Sequence, residues 1–106
     1  MGKAETVFAR FSKQIRGSSI GGTKTFSQSI TFPITELVVD YCVICVAPAT
    51  LVIKSTQNNE QEIICNLVTD GKGHTDIITL PEEGVYDIYI AKEDCVLIQY
   101  NVTIHN

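Results

Sequence analysis

Apolar residues in this chain recur mostly at every second position, the period of a half-buried strand. The alternation is clearest near the end, where Val96, Ile98, Tyr100, Val102 and Ile104 point one way. Leu97, Gln99, Asn101, Thr103 and His105 point the other way. Residues 23–32 alternate too, with Lys24, Phe26, Gln28, Ile30 and Phe32 on one face and Thr or Ser on the other. Residues 35–46 are apolar on both faces, which predicts a strand in the middle of a packed sheet. Further strands are expected over 49–55, 62–68, 74–80 and 85–91. They are separated by the polar turn Thr56-Gln57-Asn58-Asn59, the glycine-rich hairpin signal Asp70-Gly71-Lys72-Gly73 and the turn Pro81-Glu82-Glu83-Gly84.

About seven strands at roughly ten-residue spacing, with no convincing helix in the body, predict an all-β fold. The expected architecture is an antiparallel β-sandwich of jelly-roll type, with about seven to eight strands and a short basic N-terminal arm. An immunoglobulin-like sandwich fits less well, because the chain has no Trp to pack on an inter-sheet disulfide.

The first residues read differently. Phe8, Phe11 and Ile15 recur at helical spacing, with Arg10, Lys13 and Arg16 between them. Read as a strand, Val7, Ala9, Phe11 and Ile15 share a face that Lys13 interrupts. Gly17-Ser18-Ser19 and Gly21-Gly22 then make a flexible joint. The expected division is an arm and hinge over 1–21 and a sandwich over 22–106.

Composition sharpens this reading. At 106 residues the chain makes one domain, with 44% hydrophobic and 19% charged residues. Its mean hydropathy is slightly positive, which suggests apolar surface covered by another molecule. Charge is split along the chain. Residues 1–32 carry five bases and one acid (+5 − 1 = +4), and residues 33–106 carry three bases and eleven acids (+3 − 11 = −8). A basic arm before an acidic body suits an anionic partner, and another copy's body is one candidate. No apolar run approaches the roughly 20 residues that span a membrane. The start has no secretory-signal pattern, so cytosolic synthesis is expected and the final compartment is left open.

Cys42 and Cys45 have the spacing of a redox or zinc motif. In a strand, however, residues an odd number apart face opposite ways, so the two thiols do not converge. Cys45 belongs with Leu37, Val39, Tyr41 and Val43, and Cys42 with Glu36, Asp40 and Ile44. Cys65 shares a face with Ile63 and Leu67, as a buried thiol acting as a small hydrophobe. Cys95 follows the turn Lys92-Glu93-Asp94 and is expected on the polar face of the last strand. Cys42 and Cys95 are the candidates for an intermolecular disulfide, with reduced thiols the default in the cytosol.

Other motifs lack their structural setting. Gly17-Ser18-Ser19-Ile20-Gly21 matches a nucleophile elbow centred on Ser19, but needs a strand–turn–helix context that this chain lacks. Met1-Gly2-Lys3-Ala4-Glu5-Thr6 fits a loose myristoylation pattern. The segment from Asp70 fails as a calcium loop, because Lys72 and His74 stand at ligand positions. His74 and Asp76 lie on one face within reach of each other, with no nucleophile beside them. Asn101-Val102-Thr103 is a glycosylation sequon that matters only in a secreted chain. The acidic body gives no strong nucleic-acid signal.

These residues lead to two expectations. The first is a non-enzymatic structural subunit without cofactor or metal that assembles with itself. Its arm (Val7, Phe8, Arg10, Phe11, Lys13, Ile15 and Arg16) would dock on a neighbouring sandwich, with the bases meeting acids such as Glu36, Asp40 or Glu62. The alternative is a small carbohydrate- or protein-binding module that uses Tyr86 or Tyr89.

Overall fold

The computed structural model describes residues 10–57 and 61–106. Among these residues are eight strands and no helix: β1 (Ser12–Ser19), β2 (Lys24–Phe32), β3 (Glu36–Cys45), β4 (Ala49–Ser55), β5 (Glu62–Leu67), β6 (Asp70–Thr79), β7 (Gly84–Lys92) and β8 (Ile98–His105). They form two four-stranded sheets, ordered β1-β8-β3-β6 and β2-β7-β4-β5, with every pairing antiparallel. Each sheet interleaves early and late strands in a double Greek key, which is the jelly roll expected from the strand pattern. The seven-stranded immunoglobulin arrangement is excluded by this order.

The core follows the two-residue period. Leu37, Val39, Tyr41, Val43 and Cys45 of β3 face Leu51, Ile53, Ile88 and Ile90 of the other sheet. Burying each such aliphatic side chain contributes about 1.5–3 kcal/mol. The expected inward set of the last strand is also found, with Ile98, Val102 and Ile104 fully buried and Tyr100 packed against them.

Several local expectations change. Residues 12–19, read as the end of the arm and its hinge, are a strand of the chain's own sheet, paired with β8 from Ser12↔His105 to Ser19↔Ile98. Ile15 is 5% exposed and belongs to the core. Phe11 packs against Phe32, ring centroids 5.2 Å apart and the rings tilted by 56°. The joint is confined to Gly21 and Gly22, both at positive φ. The helical spacing of Phe11 and Ile15 lost because a strand there gains a ladder with β8 and the same apolar contacts.

In β2 the expected uninterrupted alternation breaks. A bulge shifts the register between Thr25 and Gln28, with Phe26 at φ 47°. The extra residue turns Thr25 inward and leaves Lys24 exposed. The glycine-rich Asp70–Gly73 tract is the start of β6 rather than a hairpin tip. Gly71, at φ +78°, sits where the β3–β6 register shifts, and a Cβ there would lie 2.9 Å from Ile44 Cγ1.

Candidate functional site

The jelly-roll order makes β1 and β6 the edges of one sheet and β2 and β5 the edges of the other. Contacts between the sheets show which edges lie together. Phe11, just before β1, packs on Phe32 of β2, and Tyr100 lies against both Gly17 of β1 and Phe26 of β2. At the other side the Cys65 thiol of β5 donates to Asp76 Oδ2 of β6 at 2.9 Å. The sandwich therefore has two open flanks, β1/β2 and β5/β6, and no described residue pairs with the outer edge of any of these four strands.

The β5/β6 flank exposes an apolar side chain on each outer face of the sandwich. Ile64 on β5 is 56% exposed and Ile77 on β6 is 78% exposed, and Val68 between the strands is exposed as well. The groove between the two edges is lined by Ile63, Cys65, Asn66, Asp76, Ile78 and Thr79. Burial and the neighbouring Asp76 carboxylate push the Cys65 thiol up to about 12, so it stays protonated and serves as a donor.

The β1/β2 flank is basic. Arg10, Lys13, Arg16 and Lys24 are all exposed there, and residues 10–32 contain no acid. The sequence-expected arm residues thus divide. Arg10, Lys13 and Arg16 are available to a partner, whereas Ile15 and Phe11 are packed into the chain's own sandwich. Val7 and Phe8 lie outside the described residues.

A third surface is the outer face of the first sheet, where Gln14, Thr103, Asp40 and Thr75 form one row across β1, β8, β3 and β6. A shallow depression there also touches Cys42 and Asn101. Asp40 accepts from the Thr75 hydroxyl at 2.6 Å and meets His105 Nε2 at 2.7 Å. Those two hydrogen bonds hold the Asp40 carboxyl below its ordinary value. His105 Nδ1 faces the Asn106 main-chain oxygen at 3.0 Å, so both ring nitrogens meet acceptors. That arrangement favours the imidazolium and raises the His105 pKa, chiefly through Asp40. An imidazole so engaged has no free lone pair to act as a base. The expected meeting of His74 with Asp76 does not occur. His74 bonds Asp70 at 2.9 Å instead, because Asp70 lies four residues earlier across the Gly71 kink.

The cysteines are all free. Cys42 is half-buried and its thiol donates to the Gly71 carbonyl oxygen at 3.1 Å. Cys45 is buried, and Cys95 is exposed at φ +65° in the turn before β8 rather than on that strand. Among the described residues, no three His, Cys, Asp or Glu side chains gather where a metal ion could be held.

The two tyrosines of the alternative reading part company. Tyr86 is 2% exposed, and its hydroxyl donates to the Glu82 carbonyl oxygen at 2.6 Å, so no ligand can stack on it. Tyr89 faces outward, half-buried, but the Lys24 ammonium lies 4.5 Å above its ring.

One inward strand position carries a charge. Lys92 is 7% exposed, and its ammonium faces four carbonyl oxygens: Val96 at 2.7 Å, Gly22 at 2.9 Å, Glu93 at 3.2 Å and Gly21 at 3.4 Å. Asp94 Oδ1 completes this knot by accepting from the Gly22 and Cys95 N–H groups, which lowers the Asp94 pKa. Its signal was the period itself, since Lys92 continues the inward parity of Tyr86, Ile88 and Ile90.

The chain matches no protein-family profile and no curated protein. A solved structure of a family two carbohydrate esterase from Cellvibrio japonicus is similar at 9% identity and a TM-score of 0.44. The match covers 91% of this chain and 33% of that one, so this chain spans about a third of that protein. At that score the likeness says nothing about chemistry.

Proposed function

We propose that this chain is a non-enzymatic structural subunit that assembles with copies of itself. The observation that carries this reading is the β5/β6 flank, where two strand edges have no partner among the described residues and Ile64 and Ile77 stand exposed on the two outer faces beside them. Exposed apolar edges invite strand addition, and a soluble monomer normally blunts or covers them. The docking role expected of the arm falls to Val7 and Phe8, since Phe11 and Ile15 are used in the chain's own core. A glycan-binding reading would rest on Tyr89 alone, whose ring Lys24 already covers, and it is the weaker of the two.

Light scattering after size exclusion tests the proposal. Wild type should run as an oligomer, and an Ile64→Lys, Ile77→Lys variant should run as a folded monomer with an unchanged circular-dichroism spectrum. A wild-type monomer across the accessible concentration range would sink the reading. Removing residues 1–9 leaves β1 whole and tests Val7 and Phe8 separately. A reductant arm separates non-covalent assembly from a staple through Cys95 or Cys42.

A further inference from the structure

The two flanks differ in charge as well as position. Residues 10–32, which hold β1 and β2, carry Arg10, Lys13, Arg16 and Lys24 (+4 − 0 = +4). Residues 62–79, which hold β5 and β6, carry Lys72 against Glu62, Asp70 and Asp76 (+1 − 3 = −2). The acidic flank is thus the one that also exposes Ile64 and Ile77.

Strand direction adds a second, independent condition. Each sheet has four strands, all antiparallel to their neighbours. With an even number, the two edge strands of a sheet run in opposite directions. A copy displaced sideways without inversion therefore brings its β1 antiparallel to β6, and its β2 antiparallel to β5. Both sheets can continue across the junction in the pairing they already use. An odd number in either sheet would make that junction parallel.

Resting on the self-assembly reading, we infer that copies join head to tail, the basic β1/β2 flank of one against the acidic β5/β6 flank of the next. The partner is a second copy of this chain, and the contact is between two different patches. Such a contact leaves a free patch at each end and propagates as a filament unless the rotation between copies closes a ring. Lys13 and Arg16 of one copy would face the acids around Glu62 and Asp76 of the other. Ile64 and Ile77, which point out of opposite faces of the sandwich, would each gain a cross-strand neighbour on the added strand.

A charge swap tests the inference. The first variant, Lys13→Glu with Arg16→Glu and Lys24→Glu, makes the β1/β2 flank acidic as well (+1 − 3 = −2). The second, Glu62→Lys with Asp76→Lys, makes the β5/β6 flank basic as well (+3 − 1 = +2). All five positions are on edge strands, and circular dichroism checks that each variant folds. Each variant alone should run at the monomer mass, and an equimolar mixture should recover assemblies of wild-type size. A first variant that still dimerises by itself would show a contact of the acidic flank with its own kind, and would overturn the head-to-tail arrangement while leaving self-assembly standing. A mixture that stays monomeric, beside a wild type that assembles, would overturn it as well. A monomeric wild type would remove the underlying reading of assembly.

Discussion

The Asp40–His105 pair shows how much a single residue's behaviour depends on its neighbours. Asp40 accepts from Thr75 and His105, and the protonated His105 ring donates from both nitrogens. His105 titrates above the ordinary value of 6.5, and Asp40 below 3.8. The histidine's contribution to stability is therefore fully present below pH 6.5 and is lost as pH rises through its raised folded value. The aspartate's contribution is present above pH 3.8 and fades as pH falls through its lowered one. Both groups are partly exposed, so salt weakens the pair. Asp40→Asn should return the His105 pKa towards 6.5, read from its ring resonances in an NMR titration. An unchanged titration would show that the clip does not hold in solution. At the same scale, Lys92 answers a question the pattern poses only obliquely. A charge at an inward strand position must find acceptors, and the loops from Gly21 and Glu93 turn four carbonyls towards it.

At the scale of elements, β1 is the decisive case. Its sequence, SKQIRGSS, has one aliphatic side chain, so its periodicity says little. It becomes a strand because β8 offers a full ladder and because Ile15 and the preceding Phe11 find a place over Phe32. Ile15→Ala should accordingly destabilise the folded chain by about 2–5 kcal/mol in chemical denaturation. A value near zero would mean that the segment behaves as the detached arm its composition suggests. The β2 bulge and the Gly71 kink were hidden for a related reason. A bulge moves one residue without altering composition, and it is visible only against the partner strand.

At the scale of the whole molecule, the split of charge along the chain becomes a split across space. The Greek-key path carries the early strands to one flank and the middle strands to the other. If those flanks meet in the assembly, the contact must weaken with ionic strength, since screening shortens from about 10 Å at 0.1 M salt to about 3 Å at 1 M. Sedimentation velocity should therefore show mean size falling as sodium chloride rises over that range. Growth with salt would point to Ile64 and Ile77 as the dominant contact instead.

The local pattern determined a good deal by itself. The two-residue period assigned the faces of β3 and β8, put Cys42 and Cys45 on opposite sides, and made the fold an all-β sandwich. Side-chain direction in a strand depends only on neighbours along the chain, so one sequence suffices to read it. Pairing does not. Which strand becomes an edge, that Tyr86 is enclosed while Tyr89 is not, and that Lys92 has carbonyls around it are set by residues up to 93 positions apart, as Ser12 and His105 are (105 − 12 = 93). Those partners meet only when the two sheets close on each other, and so the flanks, which carry the proposed function, were decided by the tertiary structure alone.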